Sequence, residues 1–516
     1  MFTLVYIKAT AMKMIELLKR KIPLKRAEYV LFVVLLVAVC LVPYPALPPT
    51  HGVYGYLSSH SPTLAAHLSP EHHFLMFNHI DVDASGNESY MVYNRFSIFP
   101  FVLIRGAEAL GGDDLLAQIV CARKLMLLFW VAAAFCAYLA LKRLKLPPLA
   151  ALTVVLFSFA SRCFQLYNDM VFNDLPELFG CMLLFHGFVV HWQENRPRQL
   201  LVKAQIAVAL GWQAFAMLFP AVALLQWKNR RTKENLILAG APLLLGVLLL
   251  TFNLANECIA THTPLSETST VQSIIYRFGL ASDEVYAERA VELDNVRFLR
   301  HQFHLLGIVS LPPLAERFVI ALNYAIFLHF KIWLNLFGIH DWIWGIVAFV
   351  LALCVFWRGW FPRFPSFCLL ALMLCWAVPM KYFVFAHDFQ AMFYVGVPMM
   401  LYGAAFRKIP EKSKLLPLIA LLAAGTLLAA EIRALDEKIP EHADARTRLV
   451  PFQAIADSLR GEANPVISVK GIDMERIGGC GRAIDFALPH VRYTTDERRA
   501  QWKVFDHPPR IERLPR

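Results

Sequence analysis

The 516-residue chain is 58% hydrophobic and only 17% charged, with a mean hydropathy of +0.49. Apolar runs of about 18 or more residues recur along it, long enough to cross about 30 Å of hydrocarbon as helices, which excludes a water-soluble globular protein and a β-barrel. The net charge of +11 does not mark a nucleic-acid partner: Lys and Arg gather in short loops between apolar runs, and no basic face interleaved with aromatics is apparent.

A basic segment, Leu17–Arg26, precedes the first apolar run, about residues 28–46, and no small-residue cleavage site follows. The run reads as a retained first helix with a cytoplasmic N-terminus. A polar, His-rich stretch from His51 to about Asp114 then lies outside. Within it, Asp81, Asp83, Ser85 and Gly86 have the D-x-D-x-S-G spacing that begins a calcium loop. The twelfth position, which needs a bidentate Glu, is Val92. The β-prone runs Phe74–Val82 and Glu88–Phe96 flank a turn at Ala84–Asn87, so the segment reads as a hairpin with Asp and Asn in turn roles. His51, His60, His67, His72 and His73 crowd this loop at spacings that match no helix-borne zinc motif.

Helices two to four fall at about 115–140, 147–161 and 178–193, the last two joined by a second outer loop, Ser161–Gly180. Two short apolar segments follow, about 200–211 and 214–227, divided by Gly211–Gln213, and then helix seven, about 236–254. A long outer region, about 255–340, carries a solvated amphipathic stretch (Ser266–His304) and an apolar stretch (Phe318–Gly338) expected to lie in the interface. Helices eight to eleven fall at about 341–357, 365–381, 390–406 and 415–432. Leu141–Lys145, Glu194–Arg198, Lys228–Lys233, Trp357–Arg363 and Arg407–Lys414 are the basic inner loops.

The expected fold is therefore an all-α polytopic membrane protein of about eleven transmembrane helices over residues 1–432. Its outer loops lie at about 47–114, 161–178 and 255–340, and residues 433–516 form a small outer α/β module. In that module Val450–Gly461 reads as an amphipathic helix, Asn464–Gly471 as a short strand and Gly478–Asp485 as a plain glycine-rich turn. Six of the ten cysteines (Cys40, Cys136, Cys181, Cys354, Cys368 and Cys375) sit inside apolar runs, and none pairs at zinc spacing. They read as small buried hydrophobes.

Carriers concentrate polar residues inside their spans. Here the spans are almost uncharged and polar residues collect on the outer face, so chemistry is expected at the outer membrane–water boundary. Two other readings stay open. A lipid or polysaccharide carrier or flippase would need a polar path and an internal repeat, and an assembly subunit would use its outer loops only to bind partners.

Tyr90–Leu144 resembles the GT-C class of integral-membrane glycosyltransferases, of the protein mannosyltransferase and aminoarabinose transferase type. It has an outer loop ending in an amphipathic Pro-bearing segment (FSIFPFVLI), a Gly-bearing turn and an Arg-bearing second helix. Lys381–Phe406 resembles the late His-containing outer motif of such enzymes and the Pro-bearing helix after it. The resemblance covers most of the chain in layout and these stretches in motif. It implies transfer of a sugar from a polyprenyl-phosphate-linked donor to a lipid, glycan or protein acceptor at the outer face of a bacterial inner membrane. No cofactor follows from it with certainty, and a divalent metal is left open.

Such a reaction needs a carboxylate to accept the acceptor's proton and cations to stabilise the departing lipid phosphate. The class usually has an acid soon after helix one; here Glu71 is the first acid after Leu47. The carboxylate is sought instead at Asp169 and Asp174, with Glu177, in the second outer loop, and in reserve at Asp81 and Asp83. The bland reading of Asp174 and Glu177 is a solvated loop or a capping box for helix four. Arg95, Lys381, His387 and Arg277 are the candidate phosphate-binding cations, with interfacial snorkelling as the bland reading.

Overall fold

The computed structural model describes residues 60–112, 115–220, 233–278, 280–281, 313–338, 343–380, 388–410, 413, 415–459, 462, 465–469, 491–506 and 509–515. The expected first helix, most of the Ser266–His304 stretch, Lys381, His387 and the turn at Gly478–Asp485 lie outside these residues.

Among the described residues seven helices are long and apolar enough to cross a membrane, and two shorter apolar helices, Pro148–Phe159 and Trp344–Arg358, accompany them. In chain order the helices are α1 (Ile98–Ala109), α2 (Leu115–Arg143), α3 (Pro148–Phe159), α4 (Arg162–Tyr167), α5 (Asp174–Glu194), α6 (Pro197–Leu210) and α7 (Lys233–Thr261). They continue with α8 (Ser269–Arg277), α9 (Pro313–Leu336), α10 (Trp344–Arg358), α11 (Arg363–Met380), α12 (Gly396–Phe406) and α13 (Leu415–Leu459).

Helix α5 is the inner post of the bundle. Its apolar window is 83% buried within the protein, against 28% for α7, which faces outward. It packs along α2 more extensively than any other helix pair. Pro176 can sit in its first turn because the N–H that proline lacks has no intrahelical acceptor there. At the other end Asn195 takes the left-handed conformation (φ 51°) and its N–H closes on the His191 carbonyl at 2.9 Å. Pro197 then opens α6 at a position where a missing donor costs nothing. Helices α5 and α6 approach closely through small residues. A Cβ on Gly180 would lie 3.2 Å from the Ala207 carbonyl oxygen, and one on Gly211 would lie 3.4 Å from Glu177 Cα.

Three expectations are corrected. The apolar stretch from Phe318, expected in the interface, belongs to α9, whose Phe318–Asn335 portion is long and apolar enough to span, with Ala321, Ala325 and Ile326 fully buried. Gly345 of α10 lets that helix approach the α9 backbone at Asn323, whose side-chain oxygen accepts the Ile346 N–H at 2.7 Å. Helix four begins at Asp174, not near 178, so Asp174 and Glu177 of the second outer loop belong to its first turn. The amphipathic helix expected at Val450–Gly461 is the end of α13, one continuous helix of 45 residues. At 1.5 Å per residue it runs roughly 68 Å, enough to cross the bilayer and continue well beyond it.

The sequence-predicted hairpin forms, from β1 (Phe77–Val82) and β2 (Glu88–Val92), but it does not stand alone. It joins β3 (Val466–Ser468), β4 (Arg492–Thr494), β5 (Trp502–Asp506) and β6 (Pro509–Arg513) of the tail in a six-stranded sheet of order β2-β1-β4-β3-β5-β6. The seam is parallel, with Ile80 beside Arg492 and Asp81 beside Tyr493. Arg492 Nε meets Glu88 Oε1 at 2.7 Å, and Arg499 Nε donates to the Ala84 carbonyl at 2.7 Å. Gly86 suits this turn because its φ of 91° lies in the region that L side chains rarely adopt. Ile455 and Leu459 of α13 pack with Ile467, Tyr493 and Val504 of the sheet, while Phe77 and Ile80 pack toward Ala260 of α7. First loop and tail thus share one side of the membrane.

Ile467 is fully buried at the centre of this sheet, and an aspartate there would be an uncompensated buried charge. In Ile467→Asp, amides of Phe77–Val92 should lose hydrogen-exchange protection together with those of the tail strands, while α2 and α5 keep theirs. Unchanged protection in the hairpin would mean that the two segments do not share a sheet in solution.

Candidate functional site

The segment Tyr93–Phe96 leaves the hairpin and is fastened to the outer end of α7. Asn253 Nδ2 donates to the carbonyls of Phe96 (2.6 Å) and Asn94 (3.4 Å), and Asn94 Nδ2 donates back to the Asn253 carbonyl at 2.5 Å. Thr270 Oγ1 donates to the Asn94 carbonyl at 2.6 Å and has Glu257 Oε2 at 3.3 Å. The other Glu257 oxygen accepts the Ser269 N–H, fixing the first residue of α8. Asn94, Asn253, Glu257 and Thr270 are all buried. Each bond is strong here because water cannot compete for it.

This brace sets two arginines. Arg95 stacks with its guanidinium carbon 4.9 Å from the Tyr93 ring centroid, and its buried Nε has no hydrogen-bond partner among the described residues. Arg277 ends α8, two turns beyond the brace, with Nη1 3.1 Å from Met380 Sδ at the end of α11. It lies within electrostatic reach of Tyr93, Arg95, Glu177 and Asp174. Burial pulls its guanidinium down to about 10; Tyr93 and the two carboxylates oppose that shift and Arg95 adds to it. Arg277 therefore keeps its charge at neutral pH.

The carboxylates come from the first turn of α5, where the helix dipole favours negative charge. Asn173, not Asp174, occupies the N-cap position, and its Nδ2 donates to Glu177 Oε1 at 2.6 Å. The capping-box reading fails on geometry, and so does the solvated loop: Asp169, Asp174 and Glu177 are 2%, 1% and 0% exposed. Asp174 Oδ2 and Glu177 Oε2 are buried with no hydrogen-bond partner among the described residues. Buried oxygens in that condition call for an explanation, and a site awaiting a polar ligand is one. Asp169 lies five residues earlier in the same buried segment and is itself engaged by a partner. The aromatic wall beside the carboxylates joins Phe172 to Phe96 (5.8 Å) and Phe389 (6.3 Å), with His60 edge-on to Tyr93 at 4.3 Å.

Of the residues singled out from sequence, Asp174, Glu177, Arg95 and Arg277 come together. Asp81 and Asp83 do not. Asp83 is the turn residue, accepting the N–H groups of Ser85 and Asn87 (both 2.8 Å) and the Asn87 side-chain amide (2.9 Å). Asp81 is half exposed beside His79 at 3.4 Å. The hairpin register sets Asp81 opposite Ser89, about 13 Å along the strand from Tyr93 at 3.3 Å per residue, and Asp83 farther still. Sequence reasoning missed the brace. The readable signal was Asn253, Asn256 and Glu257 within one turn of an otherwise apolar helix. Among the described residues no three His, Cys, Asp or Glu side chains gather to hold a metal ion. Asp174 and Glu177 could hold one only with substrate oxygens completing its shell.

The hydrogen bonds from Asn87 hold the Asp83 carboxyl below the usual carboxylate range. A depressed folded value gives stability above the unfolded value, lost as pH falls through the folded one. The Ser85 and Asn87 amides should therefore keep their exchange protection down to about pH 4 and lose it below. In Asp83→Ala that pH dependence should vanish; its persistence would assign the turn to other groups.

No family model matches the chain, and no curated protein matches it. Among solved structures, it is similar to ArnT from Cupriavidus metallidurans bound to undecaprenyl phosphate, with a TM-score of 0.49 and 12% identity over 93% of each chain. It is also similar to the oligosaccharyltransferase AglB from Archaeoglobus fulgidus in complex with an inhibitory peptide and a dolichol-phosphate, with a TM-score of 0.47 and 13% identity. That match covers 92% of this chain and 64% of the other, so the chain spans just under two thirds of AglB's length. At these identities the likeness concerns the layout of the chain alone.

Proposed function

We propose that this protein is an integral-membrane glycosyltransferase of GT-C type. It moves a sugar from a polyprenyl-phosphate-linked donor to a lipid, glycan or protein acceptor at the outer face of a bacterial inner membrane. One observation carries the reading: two buried carboxylates with unsatisfied oxygens lie within electrostatic reach of a half-buried arginine, Arg277, as does Arg95.

In this reading the lipid phosphate binds at Arg277 and Arg95. Arg277 presents a planar fork of donors suited to phosphate oxygens. The acceptor enters beside Asp174 and Glu177. As its nucleophilic atom attacks the anomeric carbon, one carboxylate takes the proton it sheds. The bond from that carbon to the phosphate oxygen breaks, its electron pair leaves with the lipid phosphate, and the guanidinium groups stabilise the charge that accumulates. The aromatic wall of Phe172, Phe96 and Phe389 keeps water from competing as acceptor. Asp169 remains a further candidate for the base, and Lys381 and His387 remain further candidate cations for the donor phosphate.

Transfer measured with a polyprenyl-phosphate sugar donor tests the assignment. Asp174→Asn or Glu177→Gln should lower kcat about 10²-fold, the ordinary loss on removing a general base. Arg277→Gln should raise the donor KM about tenfold or more, while Asp81→Asn stays at the parental rate. Because an arginine guanidinium keeps its proton throughout the accessible range, the donor KM should be flat through neutral pH, and a rise on going from about pH 6 to about pH 8 would assign donor binding to another group. Parental rates in both carboxylate variants would remove this site from the chemistry.

A further inference from the structure

A second cavity, of about 450 Å³, opens on the first outer loop and shares no lining residue with the site above. This volume is ordinary for a small-ligand site. His67, Ser69, Glu71 and His72 line one wall, and Arg105 of α1 lines the other. The wall is preformed. The His67 ring stacks on Phe77 at 4.1 Å, with its Nδ1 bonded to the Phe77 carbonyl at 2.6 Å. The His72 ring stands edge-on to Phe77 and Tyr90, at 5.0 and 6.0 Å. The next two residues, His73 (φ 53°) and Phe74 (φ 56°), are both held in the left-handed region by the Phe74 N–H on the Ser69 carbonyl and the Leu75 N–H on the His72 carbonyl, each 2.9 Å. Consecutive non-glycine residues in that region are strained, and such strain is retained where a fixed wall is needed.

Helix α1 adds an apolar ridge. Phe99, Val102, Leu103 and Leu110 recur on one face and are 43%, 49%, 39% and 83% exposed, while Phe101, Ile104 and Glu108 are buried on the opposite face. Arg105 falls on the flank between the two faces, with its guanidinium 3.6 Å from Glu108. Burial pushes the Glu108 carboxyl up to about 8, so near neutral pH Glu108 is mostly protonated and leaves Arg105 its charge. A cation and an exposed carboxylate, Glu71, thus line one small cavity beside an apolar ridge at the membrane surface.

We infer that the cavity binds the headgroup of an aminoethyl-phosphate lipid, such as phosphatidylethanolamine, with its acyl chains along Phe99, Val102, Leu103 and Leu110. Arg105 and His72 take the phosphate, and Glu71 takes the ammonium. The pairing of opposite charges is the argument for this headgroup over a purely anionic one. The site needs only that the chain lies in a membrane and is independent of the transfer reaction.

Native mass spectrometry of the full chain in detergent tests the inference, with phosphatidylethanolamine and phosphatidylglycerol of matched acyl chains. The parental protein should retain the former about tenfold better, as a charge-assisted pair in a partly enclosed site allows. Glu71→Gln should abolish the preference, and Arg105→Gln should lower retention of both lipids. Val102→Gln, on the exposed ridge, should also lower both and repeats the test if Arg105→Gln folds poorly. Soluble phosphoethanolamine at millimolar concentration should displace nothing. Equal retention of the two lipids by the parental protein, parental retention in all three variants, or displacement by the soluble headgroup would each overturn the assignment.

Discussion

Two carboxylates and an arginine share a dry boundary layer at the outer end of α5, and the surrounding structure is arranged around that constraint. Removing an ion from water costs several kcal/mol even after relaxation, and only a well-placed partner offsets the cost. An exposed ion pair could drift apart at little expense, being worth about 0–1 kcal/mol. This set cannot: Asp174 and Glu177 are fixed by an N-terminal helix turn, and Arg277 by a two-turn helix whose first residue is bonded to Glu257. The Asn94–Asn253–Thr270 bonds join the same brace to the strand segment carrying Arg95. The corner is held by this buried hydrogen-bond set.

The sheet extends that logic outward. The first outer loop is long and would be entropically costly to order by itself. The tail strands absorb its hairpin into a common sheet, and α13 links that sheet to the bundle through Ile455 and Leu459. The segment Tyr93–Phe96 is therefore held at both ends, by the sheet and by α7. The tail thus steadies the first loop, and a change far from Arg95 in sequence can act on it.

Much of the bundle was legible because hydrocarbon length and the placement of basic loops are strong constraints, and both can be read from single residues in order. The hairpin was legible from alternation around Asp83–Asn87. Its union with the tail was not, since the parallel pairing of Ile80 with Arg492 joins residues more than 400 positions apart and leaves no local pattern. Helix α9 was placed in the interface because a span there would put the next basic cluster on the wrong side of the membrane, whereas in the structure His329 turns inward to the Ala391 carbonyl at 2.6 Å. At the site, Asp174 and Arg277 were legible as chemistry-bearing types. Their meeting was not, because it depends on where α8 ends and α5 begins.

The proposed transfer requires a lipid phosphate seated between Arg95 and Arg277, facing the first turn of α5. Its most direct test is a structure of the full chain determined with a polyprenyl phosphate added. The phosphate should lie within about 3 Å of the Arg277 guanidinium, the hydrogen-bond range, with Asp174 and Glu177 across from it. A well-ordered phosphate elsewhere, with both arginines turned to other partners, would contradict the claim.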